Sequence, residues 1–154
     1  PSPGFRGSLD AIRATGALRG KPVVIVNGRA DGIIPPNHAS RPYYALARKK
    51  VSAGNARYYE VTNATHLDAF NAIPAFAAAY VPLHVYFNEG LDYLYDHLTK
   101  GDALPPSQVV RTVPRGPGVP TPPAIIRDNV PPIAKKPGKK DRITFRESVL
   151  RIPD

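Results

Sequence analysis

Two short runs, the first wholly apolar and the second aromatic and mixed, each end in a polar loop, and together they constrain this chain more than any other feature of it. The first, Val23-Val24-Ile25-Val26, stops at Asn27-Gly28-Arg29-Ala30-Asp31. The second, Arg57-Tyr58-Tyr59-Glu60-Val61-Thr62, stops at Asn63-Ala64-Thr65-His66. Short runs rich in β-branched and aromatic residues read as strands. The first is apolar at every position, which predicts a strand buried on both faces. Between them, Pro42 to Lys50 reads as a helix, with Arg48, Lys49 and Lys50 at the negative end of its dipole and Ser52-Ala53-Gly54-Asn55 closing it. Strand, helix and strand make one β-α-β unit, so the predicted class is α/β with a parallel sheet.

The flanking segments extend that unit. Ser8 is placed to cap a helix from Leu9 to about Leu18, which Gly20 and Pro22 break. An Ala-rich helical piece is predicted over Pro74 to Ala79. Pro82 suits the first turn of a longer helix ending before Gly101. In that helix Phe87, Leu91, Leu94 and Leu98 share one stripe, which is predicted to pack on the sheet. The 19 prolines are unevenly spread, and ten of them fall between Leu104 and Lys139. That stretch reads as a connector with few runs able to bury an apolar face. The last residues, Arg142 to Phe145 and Ser148 to Ile152, alternate like one or two edge strands. The predicted organisation is therefore a globular part over 1–103, a proline-rich basic connector over 104–141 and a short β segment over 142–154.

In an open α/β sheet, ligands bind at the C-terminal edge of the strands. The two strands here deliver Asp31 and His66 to that edge, in the order in which an α/β-hydrolase triad closes: nucleophile, acid, histidine. An acid in this role accepts the imidazole N–H and stabilises the imidazolium that forms. Asp31-Gly32 is also an ordinary turn pair. His66 in this role is the general base, and its alternative is a histidine satisfying a loop backbone group. Arg29 is a weaker candidate, either binding a substrate carboxylate or bridging its loop by a salt bridge. His38 is a weaker candidate for lining the substrate cleft, and Asp68 and Asn71 are weaker candidates for a substrate contact. For Asp68 and Asn71 the alternative is to orient loops by side-chain-to-backbone bonds. His84 and His97, on the last helix, read as packing or solvent residues.

A nucleophile is missing from the pattern. Ser2, Ser8, Ser40, Ser52, Ser107 and Ser148 all lack the flanking glycines of G-x-S-x-G, and there is no Cys. The chain starts at Pro1, so it reads as the C-terminal part of a longer hydrolase. No metal-ligand motif or glycine-rich phosphate loop is present, so neither metal nor cofactor is expected. No apolar run approaches the length of a membrane span. Of the net charge of +9, most lies late in the chain: residues 1–108 hold 11 basic and 8 acidic side chains, residues 109–154 hold 10 and 4. The basic run Lys135-Lys136-Pro137-Gly138-Lys139-Lys140 lacks interleaved aromatics for base stacking, so no nucleic-acid partner is expected. It reads as a solvated loop.

The runs from Gly20 to Asp31, Asn37 to Tyr44, Arg57 to Asn71, Val81 to His84 and Leu104 to Thr112 together resemble the C-terminal region of D-(-)-3-hydroxybutyrate oligomer hydrolases. The strand-loop-acid and strand-loop-histidine patterns are generic. Ser40-Arg41-Pro42-Tyr43-Tyr44 and Pro105-Pro106-Ser107-Gln108-Val109-Val110-Arg111-Thr112 are more distinctive. The resemblance implies the last parallel strands and helices of an α/β-hydrolase fold, followed by a proline-rich basic tail. It also implies a bacterial, secreted or periplasmic serine esterase that cleaves short 3-hydroxybutyrate oligomers in polyhydroxybutyrate degradation and butanoate metabolism. Asp31 and His66 would be its triad acid and base. The serine and oxyanion hole would lie in the N-terminal part, and this chain alone would be inactive. Two alternatives stand beside this reading: another esterase of the same fold, tannase- or feruloyl-esterase-like, and a non-catalytic module whose basic tail binds an anionic partner.

Overall fold

The computed structural model describes residues 3–50, 56–118 and 121–154. Its elements run α1 (Pro3–Ile12), β1 (Val23–Gly28), α2 (Ser40–Lys50), β2 (Ala56–Val61), α3 (Pro74–Ala79), α4 (His84–Lys100), β3 (Gln108–Val110), β4 (Thr144–Arg146) and β5 (Val149–Arg151). β1, β2 and β3 form one sheet in that order, and both pairings are parallel. Asn27 stands beside Glu60, and Gly28 beside Val61. Both predicted strands and the helix between them are present. The predicted closure of that helix at Ser52 to Asn55 lies outside the described residues.

β2 is the central strand, and its period of two separates two cores. Tyr58 joins Leu18, Tyr44, Ala47, Val109 and Ile143 on the α2 face. Tyr59 and Val61 join Val81, Tyr86, Val110 and Ile133 on the α4 face. Each buried tyrosine brings apolar area and also a hydroxyl that needs a partner. Tyr44 pairs with Ser107 Oγ at 2.7 Å, Tyr59 donates to the Pro105 carbonyl at 2.9 Å, and Tyr86 donates to that of Pro131 at 3.0 Å.

Three expectations need correcting. The first helix starts at Pro3 and ends at Ile12, so Ser8 lies inside it instead of capping it. Its hydroxyl donates back to the Gly4 carbonyl at 3.1 Å, the i−4 bond open to serine within a helix. The stripe Phe87, Leu91, Leu94, Leu98 does not cover the sheet. Phe87 and Leu91 are each 48% exposed and Leu98 64%. α4 instead buries Tyr86 and Gly90, and Gly90 packs closely on Val24 and Val26, where a Cβ would sit 3.2 and 3.4 Å from their methyl groups. The proline-punctuated stretch buries more than expected: β3 is its third parallel strand, and Val109, Val110 and Ile133 fill both cores. The lysines of its basic run are exposed, as expected.

The C-terminal residues form a hairpin, β4 against β5, turned by Glu147 and Ser148. Both turn residues have positive φ, 51° and 64°, the conformation that tight two-residue hairpin turns require. α4 ends at Gly101 in the left-handed conformation that glycine adopts without strain.

Gly28 marks the closest approach between the two strand-end loops. A Cβ there would sit 2.2 Å from the Ala64 carbonyl oxygen, whereas one at Gly32 would meet open space. Gly28→Ala is therefore expected to lower stability by about 1–3 kcal/mol through overpacking. Gly32→Ala should stay within about 0.5 kcal/mol. Urea unfolding of the two variants checks this, and equal midpoints would contradict the packing argument.

Candidate active site

Parallel pairing brings the ends of β1 and β2 together, and backbone bonds fix the loops that follow. The Arg29 N–H donates to the Val61 carbonyl at 2.7 Å and the Ala30 N–H to that of Ala64 at 3.1 Å. Asn63 turns the second loop with φ at 52°, and its amide donates to the Thr112 carbonyl at 2.9 Å. These contacts set Asp31 Oδ2 2.8 Å from His66 Nδ1.

The environment of each partner suits a carboxylate orienting an imidazole. The Asp31 side chain is 2% exposed and the His66 side chain 33%. Asp31 Oδ1 accepts the N–H groups of Ile33 at 3.0 Å and Ile34 at 2.8 Å. Burial pushes the Asp31 carboxyl up, but the Ile34 N–H, the His66 ring and the Ile33 N–H together outweigh it. The net shift is downward, so the group stays ionised at neutral pH. Asn27 Nδ2 also approaches Asp31 Oδ2, at 3.3 Å. His66 Nε2 has no hydrogen-bond partner among the described residues. His66 lines an open cleft of about 200 Å³ with Val26, Leu67, Leu83, His84 and Phe87.

The other candidates fall in different places. Asp68 lines the same cleft, but both its oxygens are engaged: they accept the N–H groups of Leu83 at 2.7 Å and His84 at 2.9 Å, capping α4. Its loop-orienting alternative is thus the one seen. The Asn71 amide has no hydrogen-bond partner among the described residues. His38 sits exposed on a 3-10 turn, Pro36–His38, and bonds to neither Asp31 nor His66. The Arg29 guanidinium is taken up by Glu60 and by the Pro153 carbonyl, at 2.7 Å, which is the salt-bridge alternative.

Glu60 itself escaped the sequence reading. It is fully buried on β2 and accepts bonds from Arg29, from Arg41 Nε at 2.8 Å and Nη2 at 2.6 Å, and from the Tyr58 hydroxyl at 2.7 Å. Burial raises its pKa, while Arg41, Tyr58 and Arg29 lower it further than burial raises it. The network continues toward the acid. The Tyr58 hydroxyl meets Ser40 Oγ at 3.0 Å, Ser40 donates to Asn27 Oδ1, and Asn27 Nδ2 points at Asp31. A signal was available: a carboxylate two residues from Tyr58 in a buried strand must face the same core and needs a cation there.

Among the described residues no group of three or more metal-ligating side chains occurs, and no helix is long and apolar enough to cross a membrane. The fold and site thus define a mixed α/β protein with a buried carboxylate–histidine pair at the C-terminal edge of a parallel sheet. A family model described as 3HB-oligomer hydrolase matches residues 2–154, so the chain belongs to the 3-hydroxybutyrate oligomer hydrolase family. It is similar to the D-(-)-3-hydroxybutyrate oligomer hydrolase of Paracidovorax citrulli, with 49% identity over 97% of this chain and 22% of that protein. The protein of the same name from Cupriavidus necator is 51% identical over 90% of the chain and 20% of its own length. That of Paraburkholderia xenovorans is 46% identical over 96% and 21%. The chain thus spans about a fifth of the length of these relatives. No solved structure matches it.

The buried carboxylates give a pH dependence with a definite sign. Asp31 and Glu60 are both held below their ordinary values in the fold. Each therefore contributes stability that is complete above the unfolded-state value of about 4 and is lost as pH falls through the lower folded value. Unfolding free energy should be flat from neutral pH to about 5 and decline below about 4. Glu60→Gln should shallow that decline. Glu60→Ala, which leaves two guanidinium groups facing each other, should cost about 3–5 kcal/mol at pH 7. Urea unfolding at a series of pH values reads all three.

Proposed function

We propose that this chain is the part of a 3-hydroxybutyrate oligomer hydrolase that supplies the acid and the general base of a Ser-His-Asp triad. The observation that carries the reading is the 2.8 Å bond from the buried Asp31 to the Nδ1 of a half-exposed His66 at the sheet's C-terminal edge. Membership of the family supplies the substrate class, an ester-linked 3-hydroxybutyrate oligomer.

With Nδ1 held by Asp31, His66 carries its proton there and presents Nε2 as the base. A serine hydroxyl from the rest of the polypeptide attacks the ester carbonyl and gives its proton to Nε2. The tetrahedral oxyanion collapses, the C–O bond breaks, and His66 returns the proton to the departing hydroxyl of the shortened oligomer. Water then enters, loses a proton to Nε2, and cleaves the acyl-serine, releasing a carboxylic acid and restoring the serine. During each transfer the imidazolium faces the ionised Asp31 across one short bond, and burial of the carboxylate strengthens that attraction. Asp31 gains no proton in the cycle.

In the full-length protein, Asp31→Asn is expected to lower kcat about ten-thousandfold, because the amide favours the wrong imidazole tautomer. His66→Ala should cost at least as much, and both variants should keep the wild-type far-UV dichroism. Hydrolysis of 3-hydroxybutyrate dimers and trimers, followed by released monomer, is the assay. Near-normal turnover in either variant refutes the assignment. The isolated 154 residues should release no monomer.

A further inference from the structure

The two edges of the sheet are treated differently. Beyond β3 the chain covers its own edge: Gln108 bridges antiparallel to Arg142, the Val109 N–H donates to the Asp141 carbonyl, and the Ile143 N–H donates to that of Ser107. Among the described residues β1 pairs only with β2 and is the edge strand on the other side. Its sequence, apolar at every position from Val23 to Val26, is that of a strand buried on both faces, yet all four side chains are only half-buried. Val23 to Val26 contain none of the charges, prolines or bulges that commonly blunt an open edge.

The exposed stripe of α4 lies beside that edge. Phe87, Leu91 and Leu94 with Val24 and Val26 wall an open apolar trough of about 320 Å³. The cleft at His66 shares Val26 and Phe87 with it, so the trough runs into the candidate active site. A parallel sheet needs cover on both faces, and apolar surface of this extent facing water marks an interface.

We propose that this trough is the docking surface for the rest of the same polypeptide, which adds a strand to the free edge of β1 and lays apolar side chains over Phe87, Leu91 and Leu94. Family relatives are about five times as long as this chain, so an occupant of sufficient size exists in the same molecule. A second copy of the chain is a poorer fit. Two β1 strands paired about a two-fold axis run antiparallel, which breaks the parallel order of β1, β2 and β3 and points the two His66 clefts in opposite directions. A parallel strand ends at the same edge as β1, so the loop after it arrives at His66. That last point rests on the triad reading; the docking itself does not.

Hydroxyl-radical footprinting of the full-length protein tests this, with labelling at each residue normalised to its intrinsic reactivity. The expected result is labelling of Phe87 and Leu91 severalfold below that of a half-exposed side chain, unchanged on dilution and unchanged in the Asp31→Asn variant. Leu91→Asp in the full-length protein should also lower the unfolding midpoint, as an acid in a covered apolar contact does. Labelling of both residues at the level of exposed side chains overturns the proposal. Protection that disappears on dilution also overturns it, since it assigns the surface to a second copy. An inactive Asp31→Asn protein with the trough still protected keeps the docking surface whatever becomes of the triad. An active His66→Ala protein with the trough protected refutes the triad and leaves the docking surface standing.

Discussion

Glu60 holds this structure together at the point where its parts meet. A carboxylate in the middle of a central strand loses its hydration, and isolated it would be neutral or absent. Here three donors surround it: Arg29 from the acid loop, Arg41 from α2 and Tyr58 from its own strand. Arg29 also reaches the Pro153 carbonyl, so the C-terminal end of the chain closes over the same ion pair. Through Tyr58, Ser40 and Asn27 the network ends on Asp31. Because Ser40 donates to Asn27 Oδ1, the amide nitrogen of Asn27 is turned toward the acid. The orientation of the Asp31 carboxylate is therefore coupled to a buried charge on the next strand.

The proline-rich stretch solves a related problem. Buried tyrosines are a large part of both cores, and each hydroxyl left unpaired would cost about 1–3 kcal/mol. Proline has no N–H to satisfy but keeps its carbonyl, so a proline segment laid over a tyrosine-rich core offers acceptors without adding donors. Pro105 and Pro131 serve in this way for Tyr59 and Tyr86. Some N–H groups of the stretch are met by backbone carbonyls, as Val113 by Asn129, and others by side chains: Glu89 accepts from Ile133, and Gln108 both accepts from Ala134 and donates to its carbonyl.

Much of the site was legible in the sequence because strand ends and their loops are local. The two short runs marked out β1 and β2, parallel pairing followed from the helix between them, and Asp31 and His66 met at their ends. What was not legible depends on contacts between distant segments. Glu60 was passed over because its cations come from Arg29 and Arg41, which are not its sequence neighbours. The third strand was hidden among prolines, since Gln108 to Val110 is too short to show a period. The two runs that most distinguished the family, around Ser40 and around Ser107, owe their character to structure. Ser40 and Arg41 reach into the Glu60 network, and Ser107 joins the Tyr44 hydroxyl to the Tyr58 N–H.

The α4 stripe failed as a prediction for an instructive reason. Periodicity says which residues share a face, and the stripe is real, but it does not say what that face meets. Gly90 lets the helix lie so close to Val24 and Val26 that the neighbouring face, with Tyr86, becomes the buried one. Both β1 and α4 therefore carry more apolar surface than this chain covers, and the excess lies on one side, continuous with the cleft at His66. The Asp31–His66 pair is assembled by contacts internal to the chain: the Gly28 approach, the Arg29 and Ala30 N–H bonds and the capping of α4 by Asp68. The free face of the imidazole opens on the uncovered side. A group arriving along the edge of β1 would meet an imidazole already oriented by its bond to the Asp31 carboxylate.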